Sequence, residues 1–311
     1  ILKMTVNLII TSYNHENYIE ESIDSALNQS YKNLKILAID AGSTDKTKLI
    51  LKKYKKYVDV HQLNNSSPSQ TLNYGITKCK KKYIAFQSGD DINHPYRIEK
   101  QIEEINYQHS DLIFTDCKFI NKKSNQINYQ NIFTKQRMIK DHDNKDLFLE
   151  AFNIGNFFCA PSVIIKSEIF NKIGMFNPLY FQLQDYDFWL RALLKNLKIS
   201  FINEKLIFYR IHDKNLSSPQ NHNIMNQELS MVLFDILKKY VCSKNSLQLR
   251  DLFGQFIETT NKLNKFSIIE IHNILKNHRN KEVQKFAKFL FFINIDKITN
   301  KNITFNDEFD Y

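Results

Sequence analysis

Cysteine is scarce in this 311-residue chain, and the four present stand far apart. Cys79, Cys117, Cys159 and Cys242 include no CxxC pair. That excludes the common zinc-site spacings, argues against a disulfide framework, and fits a reducing cytosol. No apolar run approaches the ~18 residues of a membrane-spanning helix. The opening residues show no signal-peptide pattern, although the chain starts at Ile1 and not at a methionine. Long low-complexity tracts are also missing, so the composition is that of a globular protein. Positive charge, in contrast, is plentiful. A net charge of +10 favours anionic partners such as nucleotides, phospholipid headgroups or nucleic acid, without choosing among them. The basic-aromatic motifs of known nucleic-acid modules are absent, so nucleic acid is not an expected partner.

The most informative stretch is 83–101, YIAFQSGDDINHPYRIEKQ. An apolar run ends abruptly in Ser88, Gly89, Asp90 and Asp91, and Pro95 then opens a helical pattern. A buried strand stopping at adjacent carboxylates puts oxygen ligands at the carboxyl edge of a sheet, where open α/β sheets bind ligands. Neighbouring carboxylates repel unless a cation lies between them, and Mg²⁺ or Mn²⁺ takes oxygen ligands while touching substrate phosphates. A polar turn closing the strand would use the same residue types.

Upstream, 6–11 (VNLIIT) is a continuous β-branched run, as in a strand buried on both faces of a parallel sheet. A polar turn, 12–17, leads to a helical face of Ile19, Ile23, Ala26 and Leu27. A second strand, 34–40, ends in Asp40, and Ser43 or Thr44 can cap the helix that follows. A short strand at 58–63 and a helix at 69–79 complete a β-α-β-α-β-α-β alternation with short connections. The pattern predicts a mostly parallel sheet with right-handed crossovers and a nucleotide site at its carboxyl edge. Downstream, further strands are expected at 111–117, 162–166, 199–202 and 206–211, with helices at 146–152, 167–173 and around 185–193. The polar stretch 122–146 reads as a long connection of the kind that forms lids.

The segments VNLIITSYN, LAIDAGSTD, SQTLNYGI and YIAFQSGDD, in this order and spacing, resemble the nucleotide-binding half of a family 2 glycosyltransferase with the GT-A fold. The resemblance implies an α/β, Rossmann-like sheet over 1–218, followed by a helical C-terminal region, 219–311. It implies an inverting transfer of sugar from a nucleotide-diphosphate donor, most simply a UDP-sugar, to a hydroxyl of a glycan or lipid-linked acceptor. The product would be a bacterial surface polysaccharide assembled at the cytoplasmic face. Thr11, Tyr13 and Asn14 would line the base pocket, and Asp40 would accept from a uracil-type imide. Ser43, Asp45, Asn73, Ser88 and Gly89 would complete the nucleotide side. Asp90, Asp91 and His212 would hold Mn²⁺ or Mg²⁺, His212 lying in a Y-R-x-H segment like the family's. Asp185, in QDYDFWLR, would be the general base, with Asp187 structural.

Two departures stand out. Ser88 occupies the position of the family's first metal-motif carboxylate, and Gln184 replaces the Glu that usually precedes the base. Both keep open the reading of a nucleotide-sugar-binding protein without catalysis. Beyond 218, helical periodicity carries Lys238, Lys239, Lys262, Lys265, Lys276, Lys281, Lys285 and Lys288. These form either a solvated basic face or a peripheral contact with an anionic membrane.

Overall fold

The structure, a computed structural model, describes residues 4–129, 143–241 and 268–293. The predicted lid lies mainly outside the described residues, as do Cys242, Lys262, Lys265, the helix read around 249–256 and the acidic tail. The chain divides into two compact units, Ile1–Asn144 with Asn156–Ser218, and Lys145–Gly155 with Pro219–Tyr311.

The first unit is built on β1 (Val6–Ser12), which pairs in parallel with β2 (Leu34–Asp40) on one side and β4 (Tyr83–Ser88) on the other. β2 continues in parallel to β3 (Asp59–Gln62). Beyond β4 the sheet takes antiparallel β7 (Ile164–Lys166), then β6 (Leu112–Ile120), β8 (Ile199–Arg210) and the short β5 (Ile92–Asn93). The eight-stranded sheet is α/β and mostly parallel, as expected.

The apolar run of β1 is continuous because both faces are covered. Val6, Leu8 and Ile10 pack with Ile19, Ile23 and Ala26 of α1 (Ile19–Leu27) and with Ile98, Ile102 and Ile105 of α4 (Arg97–Gln108). Burying each of these isoleucines contributes about 2–3 kcal/mol. Ile9 and Ile39, on the opposite face, meet α3 (Pro68–Lys78) at Gly75. Ser67 starts α3 with a reciprocal capping box to Gln70, and Pro68 fills the first turn.

Three expectations change. The helix after β2, α2 (Thr47–Tyr54), has no side-chain cap from Ser43 or Thr44. Those hydroxyls are engaged by Asp40 and Asn14, and Asp45 Oδ1 accepts from Thr47 N instead (2.9 Å). The two strands read at 199–202 and 206–211 are one strand, β8, whose irregularity is absorbed by register shifts on either side of Asp116 in β6. The third is β5, a two-residue strand too short to carry a periodic signal.

Helix α5 (Asn144–Ile154) lies almost wholly in the second unit, and in the first unit α6 (Ile169–Ile173) follows β7. Helix α7 (Gln184–Leu194) buries Trp189 among Phe114, Phe158, Phe176 and Phe188, so that tryptophan is a core residue. Asp187 and Arg191, one turn apart in α7, form a buried ion pair (2.7 Å). The remaining thiols described, Cys79, Cys117 and Cys159, are free.

In the second unit, α8 (His222–Val241), α9 (Ile268–Lys276) and α10 (Lys281–Ile293) bury Val232, Leu233, Ile236, Ile271, Leu275 and Val283. His278 Nε2 lies 2.6 Å from the Phe152 carbonyl. Among the described residues no helix is long and apolar enough to cross a membrane.

Candidate active site

The parallel register sets Ser12 beside Asp40 and Thr11 beside Ser88, so the carboxyl ends of β1, β2 and β4 are level. Two loops lock together there. Ser43 Oγ accepts from Asn14 N (2.8 Å), Asn14 Oδ1 accepts from Thr44 N (2.8 Å), and Thr47 Oγ1 accepts from His15 N (2.9 Å). Asp45 Oδ2 accepts from Glu16 N (3.1 Å). Burial pushes the Asp45 carboxyl up, but its hydrogen bonds from Thr47 and Glu16 win and hold it below the usual range. Asp40, fully buried, closes the 41–43 turn by accepting from Gly42 N (3.2 Å), Ser43 N (3.0 Å) and the Ser43 hydroxyl. Gly42 sits at φ +107° against the Asn65 backbone, where a Cβ would come within 2.5 Å of Asn65 N.

Asp90 lies just past β4, 6% exposed. Its Oδ2 is 2.9 Å from His212 Nε2, 3.3 Å from Asn215 Nδ2 and 3.8 Å from His15 Nε2. β8 and β5 cause this meeting: they pair antiparallel, Arg210 N then donates to Asp91 Oδ1 (2.9 Å), and His212 follows two residues later. Tyr18 stacks on the His212 ring (centroids 5.0 Å apart) and carries the Arg210 guanidinium over its own ring at 4.8 Å. Arg210 is itself committed to Asp90 O, Asn121 O, Ser124 Oγ and Glu21, which makes it a structural hub and not a free phosphate ligand.

Burial would raise the Asp90 carboxyl, but the His15 and His212 imidazoles and the nearby Ser88 hydroxyl outweigh it and hold it well below the usual range. Burial pushes the His15 imidazole down, favouring its neutral form. Asp91 behaves oppositely: burial and the Asp90 charge push its carboxyl well up.

His15, Asp90 and His212 each offer a ligand atom, all within 4.8 Å of one another. Asp90 Oδ1 and His15 Nδ1 are buried without a hydrogen-bond partner. A buried acceptor left bare costs about 1–3 kcal/mol, and a cation is one partner that removes the cost. The residues present fit a divalent cation. Asp91, expected in that set, is not in it, because its Oδ1 is occupied by Arg210 N.

Asp185, in the first turn of α7, is half-buried. Burial pushes its carboxyl from the ordinary 3.8 up to about 6, opposed by the donor bonds from Asn156 Nδ2 (2.9 Å) and Tyr186 N (2.8 Å). A carboxylate poised near neutrality can take a proton from a hydroxyl. The Gln184 side-chain amide faces the carbonyls of Phe181 and Gln182 (3.0 and 3.2 Å), which assigns its nitrogen to that side and gives bonds that a glutamate could not donate.

Of the residues singled out in the sequence, Thr11, Asn14, Asp40, Ser43, Asp45, Ser88, Gly89, Asp90 and His212 gather along the β1, β2 and β4 edge. Tyr13 is 51% exposed there and free to pack against a ligand. Asn73 is used elsewhere: its amide clamps the Phe176 backbone through both atoms (2.8 and 3.0 Å). His15 was missed. Its signal was its position, two residues past Tyr13 in the turn that ends β1.

The Glycosyl transferase family 2 profile matches residues 7–174. The chain belongs to this family. It is 34% identical over 212 residues to an uncharacterized glycosyltransferase of Rickettsia typhi, covering 67% of this chain and 64% of that one. The chain therefore spans less than two thirds of that relative. It is 29% identical over 219 residues to the O-antigen biosynthesis glycosyltransferase WbnJ of Escherichia coli, covering 67% and 80% of the two. Among solved structures, S. aureus TarS 1-349 in complex with UDP-GlcNAc superposes with a TM-score of 0.64 at 16% identity, covering 99% of both chains. The mannosyltransferase PcManGT of Pyrobaculum calidifontis in complex with GDP-Man and Mn²⁺ gives 0.55 at 11% identity, covering 96% and 88%. These two likenesses establish a shared fold.

Proposed function

We propose that this chain is an inverting, cation-dependent glycosyltransferase that moves a sugar from a UDP-sugar to a hydroxyl of a glycan or lipid-linked acceptor in bacterial surface-polysaccharide synthesis. The observation that carries the reading is the buried group of His15, Asp90 and His212, with its bare Asp90 oxygen, at the carboxyl edge of β4. The GT-A-like sheet, the similarity to WbnJ and the UDP-GlcNAc bound by TarS support the donor and product classes.

Thr11, Tyr13, Asn14, Asp40, Ser43 and Asp45 form the nucleoside side, Tyr13 offering its exposed ring to the base. Asp90 and His212 would hold Mn²⁺ or Mg²⁺, which when bound would neutralise charge on the donor diphosphate. Asp185 receives the acceptor proton as the hydroxyl oxygen bonds to the anomeric carbon and the bond to the diphosphate breaks on the opposite face. A positioned base of this kind contributes about 10²–10⁴-fold. Asn156 holds the Asp185 carboxylate in place by its hydrogen bond. Exposed lysines of the second unit, such as Lys281 and Lys288, suit a peripheral position at the cytoplasmic membrane face.

The test is release of nucleoside diphosphate from a panel of UDP-, GDP- and CDP-sugars, with product anomers read by NMR. UDP release with inverted product supports the reading. Tight UDP binding with no turnover against varied acceptors would instead favour a binding protein that has lost catalysis.

A further inference from the structure

Ser88 removes one carboxylate from the expected metal motif, and Asp91 turns its Oδ1 to the Arg210 backbone. Asp90 is then the only carboxylate in the cluster that the described residues form. Something else has to complete a cation site there, and the structure brings up a nitrogen. His15 is anchored from two directions. Its backbone N–H is held by Thr47 Oγ1, and its ring lies against Gly89, where a Cβ would come within 2.9 Å of His15 Nδ1. That leaves Nε2 3.8 Å from Asp90 Oδ2, too long for a direct hydrogen bond and open to an ion between them. The ring is mostly buried, its Nδ1 has no partner, and Asp90 Oδ1 also has none.

We propose that His15 is a nitrogen ligand to the cation, standing in for the carboxylate missing at Ser88, and that it tunes the site toward Mn²⁺ over Mg²⁺. The inference rests on the reading above that a cation accompanies the donor diphosphate at Asp90. Its physical reason is ligand character. Mg²⁺ is a hard ion that favours oxygen and gives up water reluctantly, whereas Mn²⁺ accepts imidazole nitrogen more readily. With His212 2.9 Å from the same carboxylate oxygen, imidazoles outnumber carboxylates around Asp90. His212 Nδ1 accepts from Lys214 N (3.2 Å). His15 carries no such bond and is the less encumbered of the two rings.

The test is pulsed EPR of Mn²⁺ with UDP on the wild-type chain, counting imidazole nitrogens by their electron-spin-echo modulation, with Mn²⁺ and Mg²⁺ affinities from calorimetry. The expected result is imidazole coupling in the wild type that falls by one nitrogen in His15→Gln. Mn²⁺ should bind at least about 10-fold more tightly than Mg²⁺, narrowing to within about 3-fold in the variant. Asp91→Asn should keep the Mn²⁺ couplings unchanged. Identical nitrogen counts in wild type and His15→Gln, equal Mn²⁺ and Mg²⁺ affinity in the wild type, or no imidazole coupling would each overturn the proposal. The wild-type spectrum needs no variant to fold, so it decides by itself whether any imidazole binds. UDP-sugar turnover in EDTA separates the two readings. Turnover without bound Mn²⁺ sinks the His15 assignment together with the cation dependence it rests on and leaves sugar transfer standing, whereas Mn²⁺ bound through His15 with no turnover of any sugar nucleotide does the reverse.

Discussion

Replacing Asp185 with Asn should make the protein more stable and less active at neutral pH and above, and both effects should shrink as the pH falls. The rise of the carboxyl from 3.8 to about 6 corresponds to up to about 3 kcal/mol of disfavoured charge. The folded-state value is the raised one, so the cost vanishes below about pH 4, where folded and unfolded chains are both protonated. It grows as the unfolded carboxyl ionises first and is complete above about pH 6. Asp185→Asn never carries that charge. It does give up part of the bonding from Asn156 Nδ2 and Tyr186 N, because its own NH₂ faces a donor, and that offset of about 1 kcal/mol is independent of pH. The difference in unfolding free energy between variant and wild type should therefore shift by up to about 3 kcal/mol in favour of the variant between pH 4 and pH 8, leaving the variant about 2 kcal/mol the more stable at pH 8. Urea unfolding followed by fluorescence reads this directly, since Trp189 is the sole tryptophan and is fully buried four residues from Asp185 in the same helix. Turnover should fall by about 10²–10⁴-fold at pH 8. A stability difference that stays flat with pH would refute the claim that this carboxylate is held out of water at an energetic cost.

Further outcomes follow from the same structure. The wild-type rate should fall on the acid side with a midpoint near 6, because the base must be deprotonated to accept a proton, leaving about a tenth of the plateau activity at pH 5. Asn156→Ala should move that limb upward in a pH–rate profile, since it removes a donor that favours the charged form. Gly89→Ala drives a methyl to within 2.9 Å of both His15 Nδ1 and Ile19 Cδ1; thermal melts should show a loss of about 1–3 kcal/mol, and calorimetry at least 10-fold weaker Mn²⁺ binding. Asn73→Ala breaks both bonds to Phe176 and should cost about 2 kcal/mol by chemical denaturation, with UDP affinity changing by less than about threefold. A tenfold loss of UDP affinity at unchanged stability would return Asn73 to the nucleoside pocket.

The parallel half of the sheet was legible because its strands are buried on both faces and its connections are short: β1, β2 and β4 each read as an apolar run ending in polar residues. The pairing of Asp90 with His212 could be anticipated only through the family pattern, since 122 positions separate them and β5, which carries β8 to the carboxylates, is two residues long. Asp91 could not be separated from Asp90 by sequence. Adjacent carboxylates look alike until one is seen bonded to Arg210 N and the other facing two imidazoles. His15 could be placed in the turn that ends β1 but not given a role, because that role depends on Gly89 leaving space for its ring and on Thr47 holding its backbone, contacts that span 74 and 32 positions. The caps expected from Ser43 and Thr44 failed because a better acceptor, the fully buried Asp40, claims Ser43 first.

The central claim is a cation-assisted diphosphate site at Asp90, and calorimetry with UDP in the presence and absence of Mn²⁺, on wild type and Asp90→Ala, tests it most directly. The account predicts UDP binding that requires Mn²⁺ and disappears in Asp90→Ala. UDP binding of equal strength without the metal, and unchanged in Asp90→Ala, would contradict it.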